Sequence, residues 1–114
     1  MTLFNDTVVV TEETLAAKRA ELVAWLRASR KGWQENLADP AAYPPQWAET
    51  WFKGTGRTIE NEVFFNTAQK PIIESAGGIF SMSEEDIAKN LAALKAVGIE
   101  GTRDMFDTTL LAEI

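Results

Sequence analysis

The chain has 114 residues and is 46% hydrophobic, which is the length and composition of one small globular domain. Its net charge of −6 argues against nucleic acid as a partner, because that role requires clustered Lys and Arg. Since the chain has no cysteine and no histidine, disulfides and thiol catalysis are excluded, and the commonest general base and transition-metal ligand is absent. We therefore predict a single, non-catalytic domain over residues 1–114, with no cofactor and no bound metal.

The amino-terminal end predicts a short β-strand. Thr7 to Val10 contains three valines beside a threonine, a composition typical of strands. A second convincing strand is not found, so we expect this one to pair with another chain. The preceding residues lack the basic and apolar regions of a signal peptide, and no apolar run reaches the roughly 18 residues that would cross a bilayer. These features predict a cytoplasmic chain as written, a periplasmic one if it is cut from a longer precursor, and no membrane insertion.

A long amphipathic helix is predicted from Glu12 to about Leu37. Thr11 is its expected N-cap, and the helix is either continuous or broken near Lys18-Arg19. Asp39-Pro40 should end it. The apolar stripe predicted to face the core consists of Leu22, Trp25, Leu26, Trp33 and Leu37.

Proline-rich sequence from Pro40 to Pro45 predicts a loop, followed by a short helix over Gln46 to Phe52. In that helix Trp47 and Trp51 are four residues apart and share a face. They form either part of the core or an aromatic platform for a ligand or partner. Both are candidate ligand-binding residues.

Two further helices are predicted in the second half of the chain. Thr58 should cap the first, with Ile59, Val63 and Phe64 towards the core, and Pro71 should kink or restart it. The second starts within Ser81 to Asp86, runs to Val97, and ends at a C-cap glycine, Gly98. A last short segment follows Thr102. The fold class is therefore mainly α, with four to five helices and one short amino-terminal strand.

Most features that suggest chemistry have a simpler interpretation. Five carboxylates stand at predicted helix N-termini, where the helix dipole stabilises negative charge. This explains them better than an acid–base pair or a cation site does. The five carboxylates are Glu12, Glu13, Glu84, Glu85 and Asp86. The Gly54-x-Gly56 sequence predicts a turn rather than an anion site, and no serine has a histidine to activate it.

The order of the motifs resembles the solute-binding proteins of ABC importers for thiamine precursors, sulfonates, nitrate and taurine. The similar segments are an aromatic-Asn start, an apolar strand ending in Thr, a helix opening with E-x-L, a stretch similar to E-L-V-x-x-F-L-R-A, an aromatic before A-x-x-x-P, and a later M-S-E-E-D start. They lie at Phe4-Asn5, Val8 to Thr11, Glu13 to Leu15, Glu21 to Ala28, Trp33 to Pro40, and Met82 to Asp86, and the ending R-D-M-F-D-T-T-L-L lies at Arg103 to Leu111.

The resemblance implies a type 2 periplasmic binding protein, in which two α/β lobes close on a ligand. This chain would be its carboxy-terminal part, with Phe4, Asn5 and Asp6 at the cleft edge and an ABC permease as partner of the full-length protein. The ligand would be a small metabolite. The alternative is a stand-alone helical domain without a transport role, which self-associates through exposed helix faces and the lone strand or binds a protein partner.

Overall fold

A computed structural model describes residues 7–74 and 77–114 of the chain. Within these ranges it is mainly helical and contains five α-helices and two 3-10 helices, with no strand. The α-helices are α1 (Glu12–Ala17), α2 (Arg19–Ala38), α3 (Pro44–Trp47), α4 (Ile59–Ile73) and α5 (Glu84–Ala96). The 3-10 helices span Arg103–Met105 and Thr109–Glu113.

The predicted strand at Thr7 to Val10 is wrong. These residues have no regular secondary structure, and all of them are exposed, with Val9 86% accessible. A strand is stabilised by a ladder of hydrogen bonds to a neighbouring strand, and the described residues contain none. The β-propensity of three valines therefore does not produce a strand here.

Short-range signals at the helix ends are confirmed. Thr11, Thr58 and Ser83 have extended backbones, and the side chain of each accepts a hydrogen bond from the N–H three residues later. The helix predicted from Glu12 is broken at Lys18, which separates α1 from α2, and α2 ends at Ala38, just before Asp39-Pro40.

Several predictions about side-chain placement and element bounds are wrong. Trp25, expected in the core, is 53% exposed, and Phe64 is 71% exposed. The short helix begins at Pro44 and ends at Trp47, because proline suits the first turn of a helix, where an N–H has no partner. Pro71 does not restart the helix: it lies inside α4, which ends two residues later, so its missing N–H removes a bond only from the last turn.

Residues that contact one another divide the chain into two compact units. The first joins the described residues up to Leu26 with Ser81–Ile114, and the second is Arg27–Phe80. Helix α2 contributes to both units. In the first unit the buried residues are Val23, Leu26, Ile87, Asn90 and Ala93, and in the second they are Leu37, Pro44 and Phe52.

The first unit is closed by two long-range ion pairs. The guanidinium of Arg103 donates from Nε to Oε2 of Glu84 at 2.8 Å and from Nη2 to Oε1 at 2.5 Å. Arg19 binds Glu113 and also donates to the hydroxyl of Thr109 at 3.2 Å. These contacts attach the carboxy-terminal 3-10 helices to α5 and α2, although each pair is exposed enough for its energy to be modest.

Candidate functional site

The two tryptophans proposed as a ligand platform do not share a helix face. Trp47 is the last residue of α3, whereas Trp51 follows it in the turns before α4. The ring of Trp47 stacks on Tyr43, with centroids 5.3 Å apart and planes at 14°, and meets Phe52 edge-on at 6.1 Å. Trp51 is 78% exposed.

The aromatic cluster of Tyr43, Trp47 and Phe52 is held by local hydrogen bonds. The N–H of Phe52 donates to the carbonyl of Trp47 at 3.0 Å, which folds the turn back onto the ring. Tyr43 donates its phenol proton to Oε2 of Glu35 at 3.2 Å. That hydrogen bond and the negative charge of Glu35 raise the pKa of Tyr43. The cluster therefore has one buried side, at Phe52, and leaves Trp51 available for contact.

The candidate ligand residues Phe4, Asn5 and Asp6 lie outside the described residues. Their role at a cleft edge stays a prediction. Of the five candidate binding residues, only Trp47 and Trp51 can be placed, and both lie in the second unit.

The inward side of α4 carries a stripe of polar residues, which the sequence interpretation missed. Glu62, Asn66 and Lys70 follow one another at four-residue intervals, and all three are half-buried. Asn66 donates from Nδ2 to Oδ1 of Asn36 at 3.3 Å and to the carbonyl of Pro40 at 3.4 Å. Polar groups of the end of α2 and the following loop are thus paired by polar side chains of α4.

Lys70 and Glu62 extend this polar contact along the helix. The ammonium group of Lys70 donates to the carbonyl of Leu37 at 2.8 Å, and Glu62 pairs with Arg57 at 3.5 Å. Gln69 donates to Oδ1 of Asn66 at 3.0 Å, which fixes the orientation of that amide. Because these bonds fix the rotation of α4, they also determine which side chains it exposes.

The outward side of α4 is apolar. Phe64, Ala68 and Ile72 are spaced by four residues, and Phe65 lies beside them, three residues before Ala68. All four are exposed, Ile72 by 75%. We call these four residues the α4 apolar face. The polar stripe at Glu62, Asn66 and Lys70 is visible in the sequence, but its inward orientation depends on the bonds to Asn36 and Leu37 of α2.

The five acidic residues lie in the first turns of helices, as predicted. Glu12 and Glu13 lie in the first turn of α1, and Glu84, Glu85 and Asp86 lie in the first turn of α5. In the described ranges no group of three or more acidic side chains could hold a metal ion. Gly54 and Gly56 both have positive φ within the turns before α4, as expected for a turn.

Comparisons with known proteins give no relative for this chain. No family model matches it, and neither a curated protein nor a solved structure does. None of the helices described is long and apolar enough to cross a membrane.

Proposed function

We propose that the chain is the carboxy-terminal part of a two-lobed solute-binding protein of an ABC importer and has no catalytic role. One observation carries this proposal. Among the described residues, thirteen large apolar side chains are exposed, whereas six apolar residues are buried. Each Å² of apolar surface removed from water contributes about 25 cal/mol, so a surface of this kind favours packing against a larger body.

The positions of the helix starts also support the proposal. Helix α1 begins one residue before the E-x-L motif, and the stretch E-L-V-A-W-L-R-A, from Glu21 to Ala28, lies inside α2. Helix α5 begins at Glu84, within the M-S-E-E-D motif. The E-x-L and M-S-E-E-D motifs therefore lie at helix starts, which supports the proposal, whereas the apolar strand that the resemblance also implies at Val8 to Thr11 does not form.

In this function the complete protein captures a small metabolite, such as a thiamine precursor or a sulfonate, and delivers it to a permease. The chain would supply helices that cover a lobe. It would also supply the edge of the ligand cleft, at Phe4, Asn5 and Asp6. Trp51, which is exposed, would be available to a ligand or a lobe. The complete protein would work in the periplasm.

Complementation with missing lobes tests the proposal. The chain would be co-expressed with a thiamine-precursor or sulfonate-binding protein from which the matching carboxy-terminal segment has been deleted. We expect a 1:1 complex whose melting temperature rises with ligand, because a ligand at 100 times its Kd adds about 2.7 kcal/mol of stability. Failure of the chain to associate with either lobe preparation would contradict the proposal.

A matched pair of variants in α2 shows whether apolar packing drives the association. Trp25→Ala removes an exposed indole, whereas Lys31→Ala removes a charged side chain from the same helix. We expect Trp25→Ala to weaken the complex and Lys31→Ala to leave it unchanged. Equal effects of the two variants would mean that the exposed indole does not contribute.

A second candidate function is a stand-alone helical domain that acts by association with another copy or another protein. The α4 apolar face favours it, because the polar side of this helix is already used within the second unit. Sedimentation across a range of concentrations tests self-association. A chain that stays monomeric throughout would rule out the version in which copies pair.

A further inference from the structure

We propose that the α4 apolar face binds an apolar helix of a different polypeptide chain, and that this partner carries a basic residue near each end. The face consists of Phe64, Phe65, Ala68 and Ile72. This inference does not depend on a transport role. It follows from the shape of the face, from the way α4 is held, and from the charges at its two ends.

The face has a notch between large side chains. Ala68 lies one turn after Phe64 and Phe65 and one turn before Ile72, so a small side chain is surrounded by three large ones. Helices pack when the side chains of one fit into the spaces of the other. A large aliphatic or aromatic side chain of the partner would therefore fit over Ala68.

The face is presented by a fixed helix rather than by a loose one. Lys70 donates to Leu37 at 2.8 Å and Asn66 donates to Asn36 at 3.3 Å, both from the opposite side of α4. Thr58 caps its first turn, accepting from Asn61 at 3.2 Å. A preorganised face lowers the cost of ordering side chains on binding.

The charges at the ends of α4 determine the chemistry of the partner. Glu60 stands in the first turn and Glu74 at the C-cap, and both are exposed. They are 14 residues apart in the helix, which corresponds to about 21 Å. Two cations near α4 have partners on its polar side, since Lys70 donates to the carbonyl of Leu37 and Arg57 pairs with Glu62.

These charges argue against a second copy as the occupant. Two α4 helices packed antiparallel over Ala68 would bring Glu60 of one near Glu74 of the other. Like charges at such a distance oppose association, and the net charge of −6 adds to the repulsion. The same argument disfavours a membrane rich in anionic lipids.

Designed peptides provide the test. The first probe is an amphipathic peptide of about 18 residues, long enough to form some helix alone, with a leucine stripe and a lysine pair at each end. The second has glutamate in place of the end lysines, and the third has serine in place of leucine. Calorimetric titration of the full chain should show binding of the first probe and at least about tenfold weaker binding of the second. The third should not bind.

Two arginine variants link that binding to the face. Ala68→Arg fills the notch, whereas Ala92→Arg places the same charge at an exposed position of α5. Both should keep the helical circular dichroism of the parent, because arginine is a good helix former. We expect Ala68→Arg to weaken binding of the first probe about tenfold and Ala92→Arg to leave it unchanged.

A double variant tests the charge argument separately. Glu60→Gln with Glu74→Gln removes both carboxylates and keeps the apolar face. Its affinities for the lysine-ended and glutamate-ended probes should differ by less than about threefold. The parent chain should show the same small difference at high salt, because salt screens exposed charges. A tenfold preference that persists in this variant would remove the role proposed for these two residues.

Five results would overturn the proposal, the first four of them from the probe and dimerisation experiments. These four are no binding of the lysine-ended probe, equal binding of both charged probes by the parent chain, binding unaffected by Ala68→Arg, and dimerisation of the chain that Ala68→Arg abolishes. The fourth result would identify a second copy as the occupant. Binding to phosphatidylserine vesicles that is lost in Ala68→Arg would equally replace a protein partner with a lipid surface. The lobe complementation experiment has a different readout, so either proposal can fail alone.

Discussion

At the scale of single residues, Lys70 has the most specific structural role in the second unit. The last carbonyls of a helix have no partner within that helix, and Lys70 supplies one to Leu37 near the end of α2. Its ammonium group is part-buried, so water competes less well for the bond than it would at a fully exposed site. One side chain thereby connects α4 to α2.

Replacing Lys70 with methionine should destabilise the chain by about 1.5–3 kcal/mol, the usual range for a hydrogen bond to a charged group. Methionine keeps most of the apolar stem, so the change reports mainly on the bond to Leu37. Urea unfolding measures the effect. Lys95→Met in α5, where the lysine is exposed, is the control and should be nearly neutral. A similar loss in both variants would show that the bond to Leu37 contributes little.

Asp107 should make the stability of the first unit depend on pH. Its carboxylate accepts from the hydroxyl of Thr109 at 2.6 Å and from the N–H of Thr109 at 2.7 Å. These two bonds lower the pKa of Asp107 below its usual 3.8, and the bond from the hydroxyl has the larger effect. Since the folded pKa is lower than the unfolded one, the stabilisation is complete above the unfolded value and is lost as pH falls through the folded value.

The measurement is the urea midpoint between pH 7 and pH 2. Thr109→Val removes the hydroxyl and should reduce the loss of stability on acidification, whereas Thr109→Ser keeps the hydroxyl and should behave as the parent does. The first variant should also be less stable at pH 7. An unchanged acid dependence in Thr109→Val would mean that this hydrogen bond does not set the pKa of Asp107.

At the scale of helices, the end of α5 is a Schellman motif. The N–H of Ile99 donates to the carbonyl of Leu94 at 2.9 Å, and the N–H of Gly98 donates to Lys95 at 3.1 Å. Gly98 has φ of 81°, a conformation that costs other residues energy. A Cβ at this position would meet nothing within 4 Å, so the cost comes from the backbone alone.

Gly98→Ala should therefore destabilise the chain by about 1–2 kcal/mol. Gly32→Ala is the matched change in the interior of α2, where a Cβ also meets nothing within 4 Å and φ is not left-handed. There alanine should stabilise by about 0.5–1 kcal/mol, because glycine loses more entropy on folding. Thermal unfolding compares the two variants. Effects of the same sign would contradict the assignment of the backbone as the cause.

Helix ends were predictable from the sequence, whereas helix orientation was not. Thr58 and Ser83 cap helices through bonds to residues three positions away, so the local sequence contains all the information. Which side of α4 faces inward depends on Asn36 and Leu37, about 30 residues earlier. The pairing of Arg19 with Glu113 spans 94 residues and has no local signal.

The failure at Thr7 to Val10 has a related cause. Strand formation depends on a neighbouring strand, and no short segment contains that information. Of the candidate site, the exposure of Trp51 was compatible with the predicted platform, but its separation from Trp47 was not predicted. A turn that starts at Ala48 leaves Trp51 off the helix, and the sequence has no proline or glycine there to indicate it.

At the scale of the whole molecule, the number of independently stable units is the property that most affects the two proposals. Each unit has its own buried residues, Ile87 in the first and Leu37 and Phe52 in the second. The single domain over residues 1–114 stays a prediction. A separate second unit would allow α4 to bind a partner without changing the stability of α5.

Hydrogen exchange on two core variants decides whether the chain unfolds as one cooperative domain or as two units. Ile87→Val should cost about 1 kcal/mol in the first unit, and Phe52→Leu is the corresponding change in the second. Because each side chain is buried within its own unit, we expect Ile87→Val to speed amide exchange in α5 and leave α4 unchanged, with the reverse for Phe52→Leu. Equal acceleration of both helices by either variant would establish one cooperative domain. In that case a partner bound at Ala68 would stabilise α5 as strongly as α4, since opening of either helix would require global unfolding.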